Sequence, residues 1–391
     1  MNKQTALAAA ALALGVALLG VLAGSISLAA PLAPDTSLSK ADASFLGENW
    51  WDRSGYSVVG AGDVDGDGLD DFLIGAPYAF DEEEGGTGAG QSYLILGHES
   101  GWTLDTSLSQ ANVSLWGESE GDQSGCSVSG AGDVNGDGYH DFLIGSRGHD
   151  HSVAITATGK AYLILGRPTV SWTVDMSLTL DADVSFSGEK ASDEAGHSVA
   201  GVGDVDGDGH DDFLIGAPYH DATSAVTNTG KTYLILGGPT IGERTSMSLT
   251  TDASASFVGE AEDDQSGYSV ARAGDVNGDG YGDFLIGAPY HDASATITNT
   301  GETYLVLGRA ATDWGLDFHL SNADASFLGE SAGDLAGYSV DGAGDVNGDG
   351  YDDLLIGAWH NREAGTGAGQ TYLILGRAAA DWGMYFDLSK A

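Results

Sequence analysis

The feature that most constrains the fold of this chain is a 23-residue segment that occurs five times. The first copy covers residues 55–77. The later copies begin 70, 71, 71 and 70 residues apart, at Gly125, Gly196, Gly267 and Gly337. A pattern repeated at a fixed period predicts an architecture of equivalent structural units, in which each unit packs mainly against its neighbours.

Each unit contains short apolar segments with the composition of β-strands. The repeated segment is followed by a second one, residues 93–97 in the first unit, and preceded by a third, residues 43–48. These segments are rich in β-branched and aromatic residues and are bounded by Gly and Asp. Four short strands per unit predict a blade of a β-propeller, so the fold class is all-β with five four-stranded blades. A further segment, residues 102–105, is either an edge strand or a surface loop.

Composition limits the partners that this chain can bind. Its 58 acidic and 14 basic residues give a formal net charge of −44, which excludes nucleic-acid binding by phosphate neutralisation and argues against docking on anionic lipid. The hydrophobic content of 42% is sufficient for a buried core. Cys126 is the single cysteine, so no intrachain disulfide can stabilise the fold.

The amino terminus predicts export. Lys3 is followed by an apolar run over residues 6–23 and by small residues ending at Ala29, which is typical of a secretory signal peptide over residues 1–29. The run is also about long enough to span a bilayer, so a retained membrane anchor is the competing interpretation. We expect a short linker over residues 30–41, a propeller over residues 42–391, and a secreted or cell-surface location.

The phase of the two chain ends predicts how the propeller closes. A segment around Phe45 precedes the first unit, and the chain stops where another such segment is due. If that segment is the outermost strand of a blade, the segment around Phe45 can complete the last blade beside residues 372–375 and remove two open strand edges. We therefore expect a closed five-bladed ring. The alternative is that the five blades are part of a longer, seven-bladed array.

The strongest chemical signal is an aspartate loop, Asp-x-[Asp/Asn]-Gly-Asp-Gly-x-x-Asp, which occurs once in each unit. Positions 1, 3, 5 and 9 offer side-chain oxygens and position 7 offers a backbone carbonyl. The candidate ligands are Asp63, Asp65, Asp67, Leu69 and Asp71; Asp133, Asn135, Asp137, Tyr139 and Asp141; Asp204, Asp206, Asp208, His210 and Asp212; Asp275, Asn277, Asp279, Tyr281 and Asp283; and Asp345, Asn347, Asp349, Tyr351 and Asp353.

Such an oxygen-only set of ligands suits Ca²⁺, as in the first half of an EF-hand loop, whereas Mg²⁺ demands a stricter octahedron. The alternative is a set of Asp-Gly turns that bind no ion, but the carboxylates of each loop would then repel one another. The sequence therefore predicts about five structural calcium ions. The loops of units one and three carry an additional carboxylate at position 3, so we expect these two to hold Ca²⁺ more tightly.

The repeats resemble FG-GAP repeats, the blades of the integrin α-chain amino-terminal propeller. The Gly-x-Ser-Val opening, the aspartate loop and the sequence Phe-Leu-Ile-Gly-Ala-Pro at residues 72–77 carry the resemblance, which covers about residues 42–391. It implies a calcium-stabilised propeller that binds partners outside the cell, often in adhesion. Two features depart from the family: a Ser or Ala replaces the Phe before the opening Gly, and the best-known rings have seven blades.

A ligand is expected on the face opposite the aspartate loops, where aromatic, His and acidic residues cluster; ordinary loop chemistry is the competing interpretation. The candidates are Tyr78, Arg147, His149, His151, Tyr219, His220, Asp221, Tyr290, His291, Asp292, Trp359 and His360, with Asp52, Asp122, Asp193, Glu194, Asp263, Asp264 and Asp334 from the loops between blades. His197 and Cys126 occupy the slot of Tyr56 in other units, so both are interpreted as packing residues. The sequon at residues 112–114 is a candidate glycosylation site.

The sequence thus predicts an exported calcium-binding propeller for adhesion or recognition, with an extracellular protein or glycan as partner and no enzymatic activity. A propeller enzyme that acts on polysaccharide, as a lyase or glycosidase, is the main alternative, and Arg147 with its neighbouring histidines is the one cluster that favours it. A purely structural surface protein is the third interpretation.

Overall fold

The computed structural model describes residues 37–80, 88–152 and 155–390. The predicted signal peptide over residues 1–29 lies outside the described residues. Among the residues that are described, no helix combines the length and apolar character that crossing a membrane requires. Over the same described residues, helical structure is confined to the short turns Leu38–Lys40, Leu108–Gln110, Thr169–Ser171, Leu178–Asp181, Ile241–Glu243, Leu249–Asp252, Ala311–Asp313, Leu320–Asn322, Ala379–Asp381 and Leu388–Lys390.

The strands of the described part of the chain form five blade sheets and one separate two-stranded sheet, which confirms the all-β prediction. From inner to outer edge, blade 1 contains Ser57–Gly62, Asp71–Ala76, Gln91–Ile95, Val113–Trp116 and Met176–Ser177; blade 2 contains Ser124–Gly132, Asp141–Ser146, Lys160–Ile164, Val184–Ser187 and Ser246–Ser248; blade 3 contains Ser198–Gly203, Asp212–Ala217, Lys231–Ile235, Ala255–Val258 and Phe318–His319; blade 4 contains Ser269–Gly274, Asp283–Ala288, Glu302–Val306, Ala325–Leu328 and Phe386–Asp387; and blade 5 contains Ala336–Gly344, Asp353–Ala358 and Gln370–Ile374. The separate sheet pairs Phe45–Leu46 with Thr106–Ser107.

The first four strands of a blade are antiparallel, and the fifth is parallel and comes from the following repeat. Met176–Ser177 lies between the third and fourth strands of blade 2 in sequence, but it pairs with the fourth strand of blade 1. Residues 102–105, left open between an edge strand and a surface loop by the sequence, form no strand, but the two-residue strand Thr106–Ser107 follows them directly, and later repeats have a two- or three-residue edge strand at the same place. The backbone hydrogen bonds of this strand connect each repeat to the blade that precedes it.

The core lies between blades, where the side chains of consecutive sheets interdigitate. Leu73 and Leu94 of blade 1 pack with Phe142, Tyr162 and Ile164 of blade 2, and all five are fully buried. Equivalent clusters lie at the next three junctions. Since burial of one large apolar side chain contributes about 1.5–3 kcal/mol, packing between blades is the principal stabilising interaction of this fold.

The predicted closure of the ring is wrong. Phe45 pairs with Thr106 in the two-stranded sheet instead of lying beside Gln370–Ile374. Its ring lies 5.5 Å from Phe72 of blade 1, in an edge-to-face arrangement. In the sheets of the described residues, no strand joins blade 5 to blade 1, and blade 5 has three strands. The five blades form an open arc, which is the arrangement that the seven-bladed alternative expects.

The position of Phe45 explains why closure fails. The fourth-strand residue Phe186 of blade 2 packs on Phe213 of blade 3 with ring centroids 5.4 Å apart, as Phe45 packs on Phe72. The amino-terminal segment thus occupies the place of the fourth strand of a blade that precedes blade 1. Packing between consecutive blades fixes the angle by which each blade is rotated relative to the one before it. The sum of these rotations over the arc does not bring blade 5 next to the amino-terminal segment. The side chain of Leu373 on blade 5 is consequently 45% exposed.

Candidate metal centre and central cleft

The five aspartate loops connect the first and second strands of their blades. They therefore all lie on the same face of the arc of blades. Each loop turns tightly through glycines at positions 4 and 6, where φ is +76° at Gly66 and +90° at Gly68. Only glycine adopts these angles without strain. The loop can therefore bring the side chains of positions 1, 3 and 5 towards a common centre.

Backbone N–H groups hold the first aspartate of the loop in place. In blade 1, Asp63 Oδ1 accepts hydrogen bonds from the N–H of Gly66 at 2.7 Å and of Asp67 at 3.1 Å, and Asp63 Oδ2 accepts one from Gly68 at 2.9 Å. The first aspartates of blades 3, 4 and 5 accept the same three bonds. These bonds fix the carboxylate of the first aspartate relative to the backbone of the loop.

The ninth aspartate of the loop is buried beneath it. Asp141 accepts hydrogen bonds from the N–H of Val134 at 2.9 Å and of Gly166 at 2.7 Å, and the other four blades repeat both bonds. In blades 1 to 4, burial, added to the charge of neighbouring aspartates and only partly offset by these bonds, raises the carboxyl pKa. The values are about 6 for Asp71, about 7 for Asp141, about 8 for Asp212 and about 7 for Asp283. A bound cation would favour the charged form of these carboxyls.

The loops fall into two classes according to position 3. Within the described residues, three carboxylates with oxygen atoms within 4.8 Å of one another occur in blades 1 and 3: Asp63, Asp65 and Asp71, and Asp204, Asp206 and Asp208. In the other blades Asn occupies position 3, and its amide donates to the fifth-position carboxylate, as Asn277 Nδ2 does to Asp279 Oδ2 at 3.0 Å. Repulsion is therefore relieved internally in three loops and not in the other two.

Consecutive loops contact each other, which the sequence analysis missed. A Cβ atom placed on Gly66 would lie 2.5 Å from Cε1 of Tyr139, because that ring covers the preceding loop. The next residue, His140, accepts a hydrogen bond at Nδ1 from the N–H of Asp63 at 3.1 Å. The loop of blade 5 is not covered in this way by the described residues, so Val346 is 54% exposed whereas Val64 is fully buried.

A central cleft of about 490 Å³ lies where the inner strands of all five blades begin. One side chain from each blade lines it, at the position that follows the opening glycine. These are Tyr56, Cys126, His197, Tyr268 and Tyr338. A Ser or Ala replaces the Phe that FG-GAP repeats have before the opening glycine. In four of the five blades, the residue after this glycine provides an aromatic side chain in the cleft instead.

The cleft is aromatic and contains one cationic lining residue. The rings of His197 and Tyr268 lie 4.7 Å apart, and the hydroxyl of Tyr268 donates to that of Tyr338 at 3.0 Å. Arg147 is the only Lys or Arg among the lining residues, and its guanidinium donates two hydrogen bonds to Gln123 Oε1, at 2.9 and 2.8 Å. In a chain of net charge −44, this pocket combines stacking surfaces with a positive group.

Several residues expected on the ligand face are instead turned into the protein. Each of three histidines has its Nδ1 atom within 3.2 Å of a buried interblade aspartate; the pairs are His149 with Asp122, His220 with Asp193, and His291 with Asp264. Asp52 and Asp334 are buried as well. The expectation that these residues offer a ligand surface is wrong, because they hold the loops between blades. In the sequon, Ser114 is buried and donates to Asp175 Oδ1 at 2.9 Å.

Comparison with known proteins agrees with this architecture. The sequence profile of the FG-GAP repeat matches residues 54–95, 127–164, 195–235, 266–306 and 336–374. Integrin alpha-PS2 of Drosophila melanogaster is 29% identical over 60% of this chain and 16% of its own length, and integrin alpha-IIb of Mus musculus is 32% identical over 57% of this chain and 20% of its own. Phosphatidylinositol-glycan-specific phospholipase D of Bos taurus is 31% identical over 40% of this chain and 18% of its own length. The matched region thus spans a fifth or less of these relatives.

Proposed function

Because this chain belongs to the FG-GAP repeat family, we propose that it is an exported, calcium-binding propeller module for adhesion or recognition. The observation that carries this proposal is the central cleft, since each of the five blades directs a side chain to this one pocket. Stacking surfaces with a few fixed polar groups are typical of a binding site.

The lining of the cleft favours a glycan that carries a carboxylate. Tyrosine and histidine rings offer flat apolar faces and polar edges, which suit a sugar ring. Arg147 offers a planar fork of donors that matches a carboxylate. A strongly acidic protein attracts an anionic ligand only through a local positive group, so Arg147 determines which ligands enter.

The test is an array of neutral and acidic glycans, with basic proteins printed beside them, probed in the presence of Ca²⁺. We expect binding to acidic glycans, and we expect Arg147→Gln to weaken it at least tenfold, since a hydrogen bond to a charged group contributes about 1.5–3 kcal/mol. Arg244→Gln is the matched control, because Arg244 is exposed and lies outside the cleft. Equal binding by the two variants would refute the cleft as the site.

Calcium in this proposal is structural. Oxygen ligands at positions 1, 3, 5, 7 and 9, the hydrogen-bonded loop backbone and the buried ninth carboxylate all fit Ca²⁺. An ion that binds only the folded state stabilises it by mass action. We expect the melting temperature to fall when a chelator removes Ca²⁺ and to recover when Ca²⁺ is restored. An unchanged midpoint would contradict a structural role.

A second function, lyase action on polyuronides, is favoured by one observation. Arg147 and His197 both line the cleft, together with tyrosine hydroxyls, and a lyase needs a charge neutraliser and a base at one point. Incubation with polyuronides and measurement of the ultraviolet absorbance of the unsaturated product test this. Binding without product supports recognition, and product formation that Arg147→Gln abolishes supports the enzyme.

A further inference from the structure

The turn that precedes blade 1 carries two adjacent tryptophans at the surface. Trp50 is 87% exposed and Trp51 is 78% exposed. At these two positions the turns before blades 2 to 5 have Glu-Gly, Ala-Ser, Glu-Asp and Ala-Gly, at residues 120–121, 191–192, 262–263 and 332–333. The pairs before blades 3 and 4 are exposed as well, although a preceding blade is present there. Exposure is therefore a property of the turn, but the large apolar side chains belong to the first of these five turns alone.

The fold does not require a tryptophan at position 51. Trp51 adopts a φ of +74°, in the left-handed region, which strains the backbone of a residue with a bulky side chain. The turns before blades 2 and 5 have Gly121 and Gly333 at this position, with φ of +90° and +80°, which glycine adopts without strain. Trp51 thus strains the turn and buries little apolar surface in return. Such a residue indicates a role in binding and not in folding.

Hydrogen bonds fix the backbone on both sides of the two tryptophans. The side chain of Asp52 is buried, and its Oδ2 atom accepts a hydrogen bond from the N–H of Asn49 at 2.7 Å. The other four turns repeat this bond. The carbonyl of Asp52 also accepts a hydrogen bond from the N–H of Tyr78 at 3.3 Å. A turn that is already ordered loses less entropy when a ligand binds to its side chains.

The turn is continuous with the central cleft. The guanidinium of Arg53, which is exposed, lies over the ring of Tyr78 at 4.3 Å from its centroid. The ring of Tyr78 lies edge-to-face with that of Tyr56 at 6.4 Å, and Tyr56 lines the cleft. A cation and two aromatic rings therefore connect the tryptophans with the proposed binding site.

We propose that Trp50, Trp51 and Arg53 form a second subsite, which binds distant sugars of the same acidic glycan that enters the cleft. This inference rests on the proposed function and names its ligand class as a chain with carboxylates on several sugars. Indole faces suit sugar rings, and a guanidinium matches a carboxylate. A glycan fits better than a protein, because polar residues flank the two tryptophans whereas a stable protein interface buries about 800 Å² on each partner.

The repeats themselves supply the test variants. Trp51→Gly installs the residue of the turns before blades 2 and 5, and Trp50→Ala installs that of the turns before blades 3 and 5. Both changes are accommodated elsewhere in the same fold. Val170→Ala is the matched control, because it also truncates an exposed apolar side chain. Val170 lies on the face of the aspartate loops, where the neighbouring Thr169 donates to Asp65 Oδ2 at 2.8 Å.

Calorimetric titration in excess Ca²⁺ measures the affinity of each protein for a uronic acid disaccharide and for an octasaccharide of the same sugar. We expect the wild type to bind the octasaccharide about tenfold more tightly than the disaccharide. Trp50→Ala and Trp51→Gly should lose this advantage and bind the disaccharide as the wild type does. Val170→Ala should match the wild type throughout. Trp51→Gly should also melt at the same or a higher temperature, because glycine removes the backbone strain.

Equal affinities of the wild type for the two oligosaccharides, or no binding of either, would overturn the second subsite. A larger elution volume of the tryptophan variants on size-exclusion chromatography would also overturn it, since the tryptophans would then contact a second copy of the chain. Arg147→Gln tests the cleft separately and should weaken binding of both oligosaccharides. Loss of octasaccharide binding in the tryptophan variants but not in Arg147→Gln would refute the cleft and support the tryptophan site.

Discussion

The residue at the third position divides the aspartate loops into two kinds, because it carries a carboxylate in blades 1 and 3 and an amide in blades 2, 4 and 5. Asp206 accepts a hydrogen bond from the N–H of Asp208 at 3.1 Å and faces its carboxylate, and burial together with that charge raises the pKa of Asp206. Asn277 instead donates to Asp279. One loop is thus incomplete without a cation, and the other is partly satisfied by its own amide.

We expect Asp206→Asn to weaken calcium binding at the blade 3 loop about tenfold, since one carboxylate near a divalent ion contributes on the order of 1–2 kcal/mol. Asn277→Asp should strengthen binding at the blade 4 loop by a similar factor. Titration against a chromophoric chelator measures both changes. The same shift in both variants, or none, would show that charge at position 3 does not set the affinity.

The ninth aspartates predict an unusual dependence of stability on pH. In blades 1 to 4 their folded-state pKa values of about 6 to about 8 lie above the ordinary carboxyl value, so without metal the folded state binds protons more tightly than the unfolded state. This contribution to stability is fully present below the ordinary carboxyl pKa and is lost as pH rises through about 6 to 8. The melting temperature of calcium-free protein should therefore rise as pH falls from about 8 to about 5. With Ca²⁺ bound, protons compete with the ion and the slope should reverse; parallel slopes would contradict this account.

At the scale of the element, contact between loops makes the five calcium sites a connected row. The ring of Tyr139 covers Gly66 so closely that a Cβ atom at that position would lie only 2.5 Å from it, so the ring would have to move. Gly348 occupies the same position in blade 5 with a similar φ of +78°, but nothing lies within 4 Å of a Cβ placed there. Substitution by a residue with a Cβ atom would therefore strain the backbone at both glycines. Only at Gly66 would it also clash with a side chain of the next blade.

We expect Gly66→Ala to destabilise the protein by about 2–4 kcal/mol and Gly348→Ala by about 1–2 kcal/mol, because only the first displaces a neighbouring ring in addition to straining the backbone. Urea denaturation in excess Ca²⁺ measures both changes. Similar losses in the two variants would show that the contact between loops contributes nothing to stability.

Sequence patterns within one repeat predicted the strands and the aspartate loops. They could not predict the contacts between repeats. The strands and the aspartate loops each lie within one repeat, so the alternation of residues and the glycine spacing are sufficient to identify them. His140 accepts a hydrogen bond from the N–H of Asp63 across 77 residues, and Tyr139 covers a loop of the preceding repeat. Closure failed for the same reason, since the rotation between blades depends on side-chain packing that no single repeat encodes.

At the scale of the whole molecule, blades 1 and 5 each expose one sheet face. The equivalent face of an internal blade is buried against its neighbour. Val58 of blade 1 is 66% exposed, whereas its counterparts Val128, Val199 and Val270 are buried. On blade 5, Leu373 is 45% exposed, and its counterpart Leu305 of blade 4 is fully buried. An open arc therefore predicts that equivalent residues contribute unequally to stability.

Leu305→Ala and Leu373→Ala make the same change at the same position of consecutive blades. We expect Leu305→Ala to lower the free energy of unfolding by about 2–5 kcal/mol, since it leaves a cavity in the core between blades 4 and 5. Leu373→Ala should cost about 1 kcal/mol or less, because its side chain is already in contact with water. Urea denaturation of both variants, with size-exclusion chromatography at two protein concentrations, provides the measurement. An equally large loss for Leu373→Ala would show that the face of blade 5 is covered in solution. Its dependence on protein concentration would then distinguish a second copy of the chain from closure onto blade 1, because only association between copies responds to concentration.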